Sequence, residues 1–296
     1  MTAACKPIEA WIDSVALVGP GLPGWEAARA VLRGERRWQH APAVETLPPI
    51  LPPAERRRTS LAVRIALAAA HQAVSDCSFD AAQLASVFTS SGGDGITCHL
   101  ICDSLAQEDR RISPTHFHNS VHNAPSGYWG IAMRATAAST SLCGHDASFA
   151  AGLIDAMMQV AADAGPVLLV AYDAPYPEPL QSHRPVPDAF GLAMVLSPRP
   201  TQRSALGMSM TIGTAEPARL DHPALEALRL AVPTARALPL MQAIAREQPG
   251  TVVIEYLEPA APGLPPSRLV LALKAPAKAS DAIRARGHAG AGEEQR

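Results

Sequence analysis

The sequence predicts an α/β fold, and three observations carry that expectation. Short continuous apolar runs at 84–90, 167–172 and 190–197 read as strands buried on both faces. Segments of helical periodicity at 25–33, 59–74 and 148–162 stand between or before them. The chain has 296 residues, 48% hydrophobic and 18% charged, which suits a globular core. A chain of this length buries roughly three quarters of its unfolded surface and needs no covalent staple to fold.

In chain order, 10–19 reads as a strand closed by Gly19-Pro20-Gly21, followed by a helix from Trp25 to Arg33 that stops at Gly34. Five prolines within 41–54 predict an extended connection. Glu55-Arg56-Arg57-Arg58 reads as a solvated charge cluster, and Thr59-Ser60 caps a helix reaching about Val74. The strand at 84–90 runs into Ser91-Gly92-Gly93-Asp94-Gly95, a turn suited to positive φ. A helix at 96–108 precedes a donor- and acceptor-rich stretch at 113–130, read as a loop, and 135–142 reads as extended. Asp146 is placed to cap the apolar helix 148–162, which ends at Gly165-Pro166. A proline-rich loop links the strands 167–172 and 190–197. Beyond Pro200 the pattern gives strands at 208–213, 251–257 and 268–273, helices near 223–231 and 236–247, and a frayed tail from about Ala275.

Charge and cysteine usage exclude several classes. Lys+Arg 25 against Asp+Glu 27 leaves a net charge of −2, so no broad phosphate-binding surface is expected and no nucleic acid. Five cysteines form no scaffold pattern, and neither a leader nor an 18-residue apolar span is readable. These features predict free thiols, no transmembrane segment and a cytoplasmic protein.

Three constellations could carry chemistry. Ser141-Leu142-Cys143-Gly144-His145-Asp146 lies between a strand and a buried helix. A thiol near a helix N-terminus gains thiolate character, and the same N–H groups form an oxyanion hole. The same residues also fit a small Cys that only packs. His116, His118 and His122, with Cys98, His99 and Cys102 upstream, contain ligand types for zinc. They lack a CxxC pair, an HExxH motif and a fourth ligand, so a hydrogen-bonded loop beside a site fits them better, and no metal is expected. Gly92-Gly93-Asp94-Gly95 matches neither GxGxxG nor GxxxxGK[ST], and reads as a structural turn.

One family unites these segments. Val31-Leu32-Arg33-Gly34, Arg57-Arg58-Thr59-Ser60 and Thr89-Ser90-Ser91-Gly92-Gly93 are followed by Asn119-Ser120-Val121-His122-Asn123-Ala124-Pro125-Ser126-Gly127-Tyr128-Trp129. Next come Ser139-Thr140-Ser141-Leu142-Cys143 and Phe190-Gly191-Leu192-Ala193-Met194-Val195-Leu196. Over about residues 8–200 this order resembles the N-terminal half of β-ketoacyl synthases. It is most similar to the short ketosynthase-like chain-length factors of aryl polyene and related type II polyketide clusters. The resemblance implies a thiolase-like layered fold, with a shortened C-terminal part at 201–274 packing on the same core and a flexible tail at 275–296. It implies a full-length β-ketoacyl synthase as partner, paired through roughly residues 110–142, and an acyl carrier protein whose acyl-phosphopantetheine is the substrate. No resident cofactor follows, and a homodimer remains an alternative. His116, Phe117, His118, Asn119, His122, Asn123, Tyr128 and Trp129 are then expected at the pairing surface or the acyl channel.

The departures from the family bear on activity. Counting from Gly152 puts Gly144 at the nucleophile position, counting from Ser139-Thr140 puts Leu142 there, and Cys143 lies between. After residue 200 the only histidines are His222 and His288, neither in a His-Gly-Thr-Gly or Gly-His-x-x-Gly setting. About a hundred residues follow the first half, fewer than the usual second half. The expectation is a subunit that does not condense by itself. The alternative is an acyltransferase using Cys143 with His145 or a histidine of the 116–122 stretch.

Overall fold

Every strand of the computed structural model, which describes residues 7–44, 49–259, 261 and 263–276, joins one mixed sheet. Residues 45–48 of the proline-rich connection, the tail from residue 277 and His288 lie outside the described residues.

The chain runs β1 (Ile8–Val18), α1 (Trp25–Arg33), the single turn α2 (Pro53–Arg56), α3 (Leu61–Ser75) and β2 (Ala85–Thr89). Then come α4 (Gly95–Ala106), α5 (Pro114–Asn119), α6 (Ala124–Met133), β3 (Ser139–Leu142), α7 (Ser148–Asp163) and β4 (Val167–Asp173). The remainder is α8 (Leu180–His183), β5 (Phe190–Ser197), β6 (Leu206–Gly213), α9 (Pro223–Ala231), α10 (Leu238–Ala245), β7 (Gly250–Leu257) and β8 (Ser267–Lys274). Tight 3-10 turns at His145–Ala147 and Pro233–Ala237 precede α7 and α10.

Strand order is β3-β2-β4-β5-β1-β6-β8-β7. The β3, β2 and β4 strands are parallel, because helices cross over between them, and the other pairings are antiparallel. All seven residues of β4 are buried. Leu168, Val170 and Tyr172 face the layer of α3 and α6, and Val167, Leu169 and Ala171 face that of α1, α7 and α10. That two-sided burial is why the strand reads as an unbroken apolar run. The residues after 200 continue the same sheet, since β6 pairs with β1 from Ile8↔Met210 to Ile12↔Leu206. Leu206, Met208, Leu269 and Leu271 share one buried cluster with Leu17 and Leu192.

Local chemistry sets the boundaries. Ser60 caps α3, its Oγ accepting from the Val63 N–H at 3.3 Å. Gly34 ends α1 in the left-handed region at φ 81°. The structure corrects three expectations. Residues 113–130 form two helices rather than a loop, because Pro114 and Pro125 each sit in a first helical turn, where proline's missing N–H costs nothing. Asp146 does not cap α7; it lies inside the 145–147 turn, and its carboxylate is taken by arginines. Of the 135–142 stretch, only Ser139–Leu142 pairs as a strand.

Candidate functional site at the Cys143 elbow and the α5–α6 face

The parallel strands β2 and β3 end side by side, Thr89 opposite Leu142. The chain then bends at Cys143 and Gly144 into α7, facing the loop that leaves β2. Cys143 is exposed, and its thiol donates to the Ser91 carbonyl at 3.2 Å. Two N–H groups of the elbow turn already have acceptors. The Gly144 N–H donates to Ser148 Oγ at 2.9 Å, and the Ala147 N–H to the Gly144 carbonyl at 2.9 Å. The turn thus consumes N–H groups that would otherwise face a reacting oxygen.

His145 stands at φ 53°, its ring exposed and its Nδ1 3.6 Å from Asp146 Oδ1. Among the described residues no hydrogen bond links His145 to Cys143, so the expected pair is not assembled. Asp146 accepts from Arg184 Nη2 at 2.8 Å and from Arg236 Nη2 at 3.1 Å. Burial pushes its carboxyl up, but the Arg184 hydrogen bond and the charges of Arg236, Arg184 and His145 outweigh that and hold it below the ordinary carboxylate value.

Sequence reasoning missed Asp173 at the end of β4. It is completely buried and accepts from the Ser91 N–H at 2.9 Å, the Thr234 N–H at 2.8 Å and Thr234 Oγ1 at 2.7 Å. Burial raises its carboxyl above the ordinary range despite those donors. An acidic residue closing an apolar strand, Val167-Leu168-Leu169-Val170-Ala171-Tyr172-Asp173, was the signal available for it. Tyr176 lies across the glycine turn: a Cβ on Gly92 would stand 2.0 Å from its hydroxyl, and one on Gly95 2.3 Å from its ring. Those glycines serve close approach, as the structural reading of the turn expected, and Gly93 has φ 66°.

The 116–129 residues divide by direction. Asn119 is buried; its Nδ2 donates to the Arg58 carbonyl at 2.6 Å, and its Oδ1 accepts from Tyr128 at 3.0 Å. Tyr128 and Trp129 are core residues between α6 and α3. Asn119, Tyr128 and Trp129 therefore hold α5 and α6 in place from beneath the outer face. His122 Nε2 is 2.9 Å from the Leu142 carbonyl and fastens the α5–α6 junction to β3. His118 packs edge-on to Tyr128, and His116 Nδ1 is buried without a hydrogen-bond partner. The zinc alternative loses its geometry: the three rings make separate contacts, and among the described residues no three His, Cys, Asp or Glu side chains gather as a metal site. The outward residues are Phe117, His118 and Asn123, and Phe117 is 68% exposed. With Val121 and Ile131, Phe117 borders a depression of about 590 Å³ floored by Tyr128.

Residues 25–249 match the family model described as "Beta-ketoacyl synthase, N-terminal domain". The chain belongs to that family. The matched span runs through α10, past residue 200, where the readable motifs stop. No curated protein sequence matches this β-ketoacyl synthase family member. Solved structures do. A chain of the ketosynthase ApeO in complex with its chain length factor ApeC, from Xenorhabdus doucetiae, matches at 20% identity and TM-score 0.66, covering 89% of this chain and 98% of that one. A chain of AntDE:AntF, a type II polyketide synthase acyl-carrier protein in complex with its ketosynthase, matches at 10% identity and TM-score 0.68, covering 92% and 100%. The ishigamide ketosynthase/chain length factor matches at 13% identity and TM-score 0.62, covering 90% and 99%. At these identities the likeness is one of fold, the layered thiolase-like α/β fold of ketosynthases.

Proposed function

We propose that this β-ketoacyl synthase family member is a ketosynthase-like subunit that does not condense by itself. In this reading it pairs in the cytoplasm with a full-length β-ketoacyl synthase, acts as its chain-length factor and helps measure acyl chains held on an acyl carrier protein. The setting is polyketide, aryl polyene or fatty-acid-like biosynthesis.

One observation carries the proposal. Among the described residues, the side-chain hydrogen bonds that the segment after residue 200 makes beside the Cys143 elbow are those of Thr234 to Asp173 and of Arg236 to Asp146. A decarboxylative condensation needs neutral donors aimed at a developing enolate oxygen. Here Thr234 Oγ1 and Arg236 Nη2 already donate to carboxylates, and His222 is held edge-on to Trp38, ring centroids 6.1 Å apart. The exposed α5–α6 face and β3, an edge strand with one side unpaired, supply a pairing surface.

Co-expression with a neighbouring full-length ketosynthase and carrier protein tests this. A stable complex that makes product, with the isolated chain inactive on malonyl-carrier protein, is the expected result. Condensation by the isolated chain without any complex overturns it. The exposure of Cys143 favours a second reading, an acyltransferase that moves acyl groups between thioesters through that thiol. Rapid iodoacetamide labelling of Cys143 near neutral pH, together with an inactive Cys143→Ala, would establish the second reading.

A further inference from the structure

A cavity of about 230 Å³ opens between the 145–147 turn, α8 and the 233–237 turn. Asp146, His183, Arg184 and Arg236 form its polar wall, with Leu230 and Pro233 on the apolar side. The arginine side chains are 23% and 21% exposed, so both are half-buried in the cavity wall. They come from separate parts of the chain and converge on one carboxylate, Arg184 on Oδ1 and Arg236 on Oδ2. Among the described residues no other acidic side chain is within ion-pair distance of either.

The charge does not balance. Two arginines against one aspartate leave these three groups at +1. Donors also outnumber acceptors: Arg236 Nε is buried with no hydrogen-bond partner, and Tyr176 offers Arg184 only a neutral oxygen. Burial works against the Arg184 charge, but the Asp146 and Tyr176 hydrogen bonds outweigh it and hold the guanidinium in its charged form. A small oxyanion in the cavity would supply the missing counter-charge, because the guanidinium fork matches its oxygens with charge-assisted hydrogen bonds.

We propose that this cavity binds a small phosphate-class oxyanion between Arg184 and Arg236, with Asp146 as the internal counter-charge that limits its affinity. A phosphate group has enough oxygens to engage both forks at once. Its binding links the elbow turn, α8 and the 233–237 turn through one ligand. The proposal concerns the unpaired chain and does not depend on a ketosynthase partner.

The test is calorimetric and thermal-shift titration of the full chain with inorganic phosphate, at constant ionic strength against chloride. Saturable binding is expected. Arg184→Gln and Arg236→Gln should each weaken it by about tenfold or more. Asp146→Asn should tighten it, whereas a merely structural Arg–Asp–Arg staple would gain no phosphate affinity there. Should either glutamine variant fail to fold, Arg236→Lys keeps the charge, loses the fork, and should bind more weakly than wild type. Titration with glycerol phosphate separates two supporting outcomes. Tighter binding of the ester points to a carried phosphate, and equal or weaker binding to the free ion. A phosphate response no larger than that to matched chloride, or an unchanged response in the arginine variants, overturns the proposal.

Discussion

Asp173 is wholly buried, and its three donors come from two loops that are distant in sequence, at Ser91 and Thr234. Removing one donor leaves part of a buried carboxylate unsatisfied, so Thr234→Val, which keeps the N–H, should cost about 1.5–3 kcal/mol in urea unfolding. Asp146 makes the complementary case at the rim. Its folded carboxyl lies below the ordinary 3.8, so its contribution to stability is present above that value and is lost as pH falls through the folded pKa. Asp146→Asn should therefore lower Tm at pH 7, and the difference from wild type should shrink in acid, below the ordinary carboxylate range. Thermal unfolding of both proteins across pH 7 to 3 reads this out. Cys143 was conspicuous in the sequence because of its neighbours. Its actual setting depends on where the Gly144 N–H and the Ser91 carbonyl point, which residue type does not encode.

Helix α7 lies directly on β2 because Gly152 leaves no side chain between them. A Cβ there would stand 2.6 Å from Thr89 Cγ2 and 3.1 Å from Leu169, and Thr89 is itself anchored through Oγ1 to the Ser148 carbonyl at 2.8 Å. Gly152→Ala should thus destabilise by about 1–3 kcal/mol through overpacking, measurable by chemical denaturation, even though alanine favours helix. The long elements α3, α7, β4 and β5 were legible because each carries its own apolar period. Helices α5 and α6 were not, since Pro114-Thr115-His116-Phe117-His118-Asn119 has poor intrinsic helix preference. Tertiary contacts supply what propensity lacks there: Asn119 to the Arg58 carbonyl, His122 to the Leu142 carbonyl, and Trp129 in the core.

At the scale of the whole molecule, the α5–α6 face and the edge strand β3 lie at one end of the sheet. Phe117, Val121 and Ile131 are exposed there, a concentration of apolar surface that isolated proteins usually cover. If that face seats the ketosynthase, Phe117→Asp should weaken the complex by at least about tenfold. The isolated subunit should keep its Tm, because Phe117 makes little core contact. Analytical ultracentrifugation of mixed subunits, with thermal unfolding of each alone, checks both halves of that expectation.

The order of strands and long helices was determined by the sequence alone, as was the family, because two-sided strand burial and helical periodicity are written within windows of ten or so residues. The motifs from Arg57 to Leu196 carry the ketosynthase likeness in the same local way. Only the tertiary structure decided what meets the elbow. Arg236 is 90 residues from Asp146, and Thr234 is 61 from Asp173. Their meeting follows from β6, β7 and β8 extending the sheet past β1 and folding the 233–237 turn back over α7. Contacts between segments that distant depend on the whole sheet closing, and no local pattern records them.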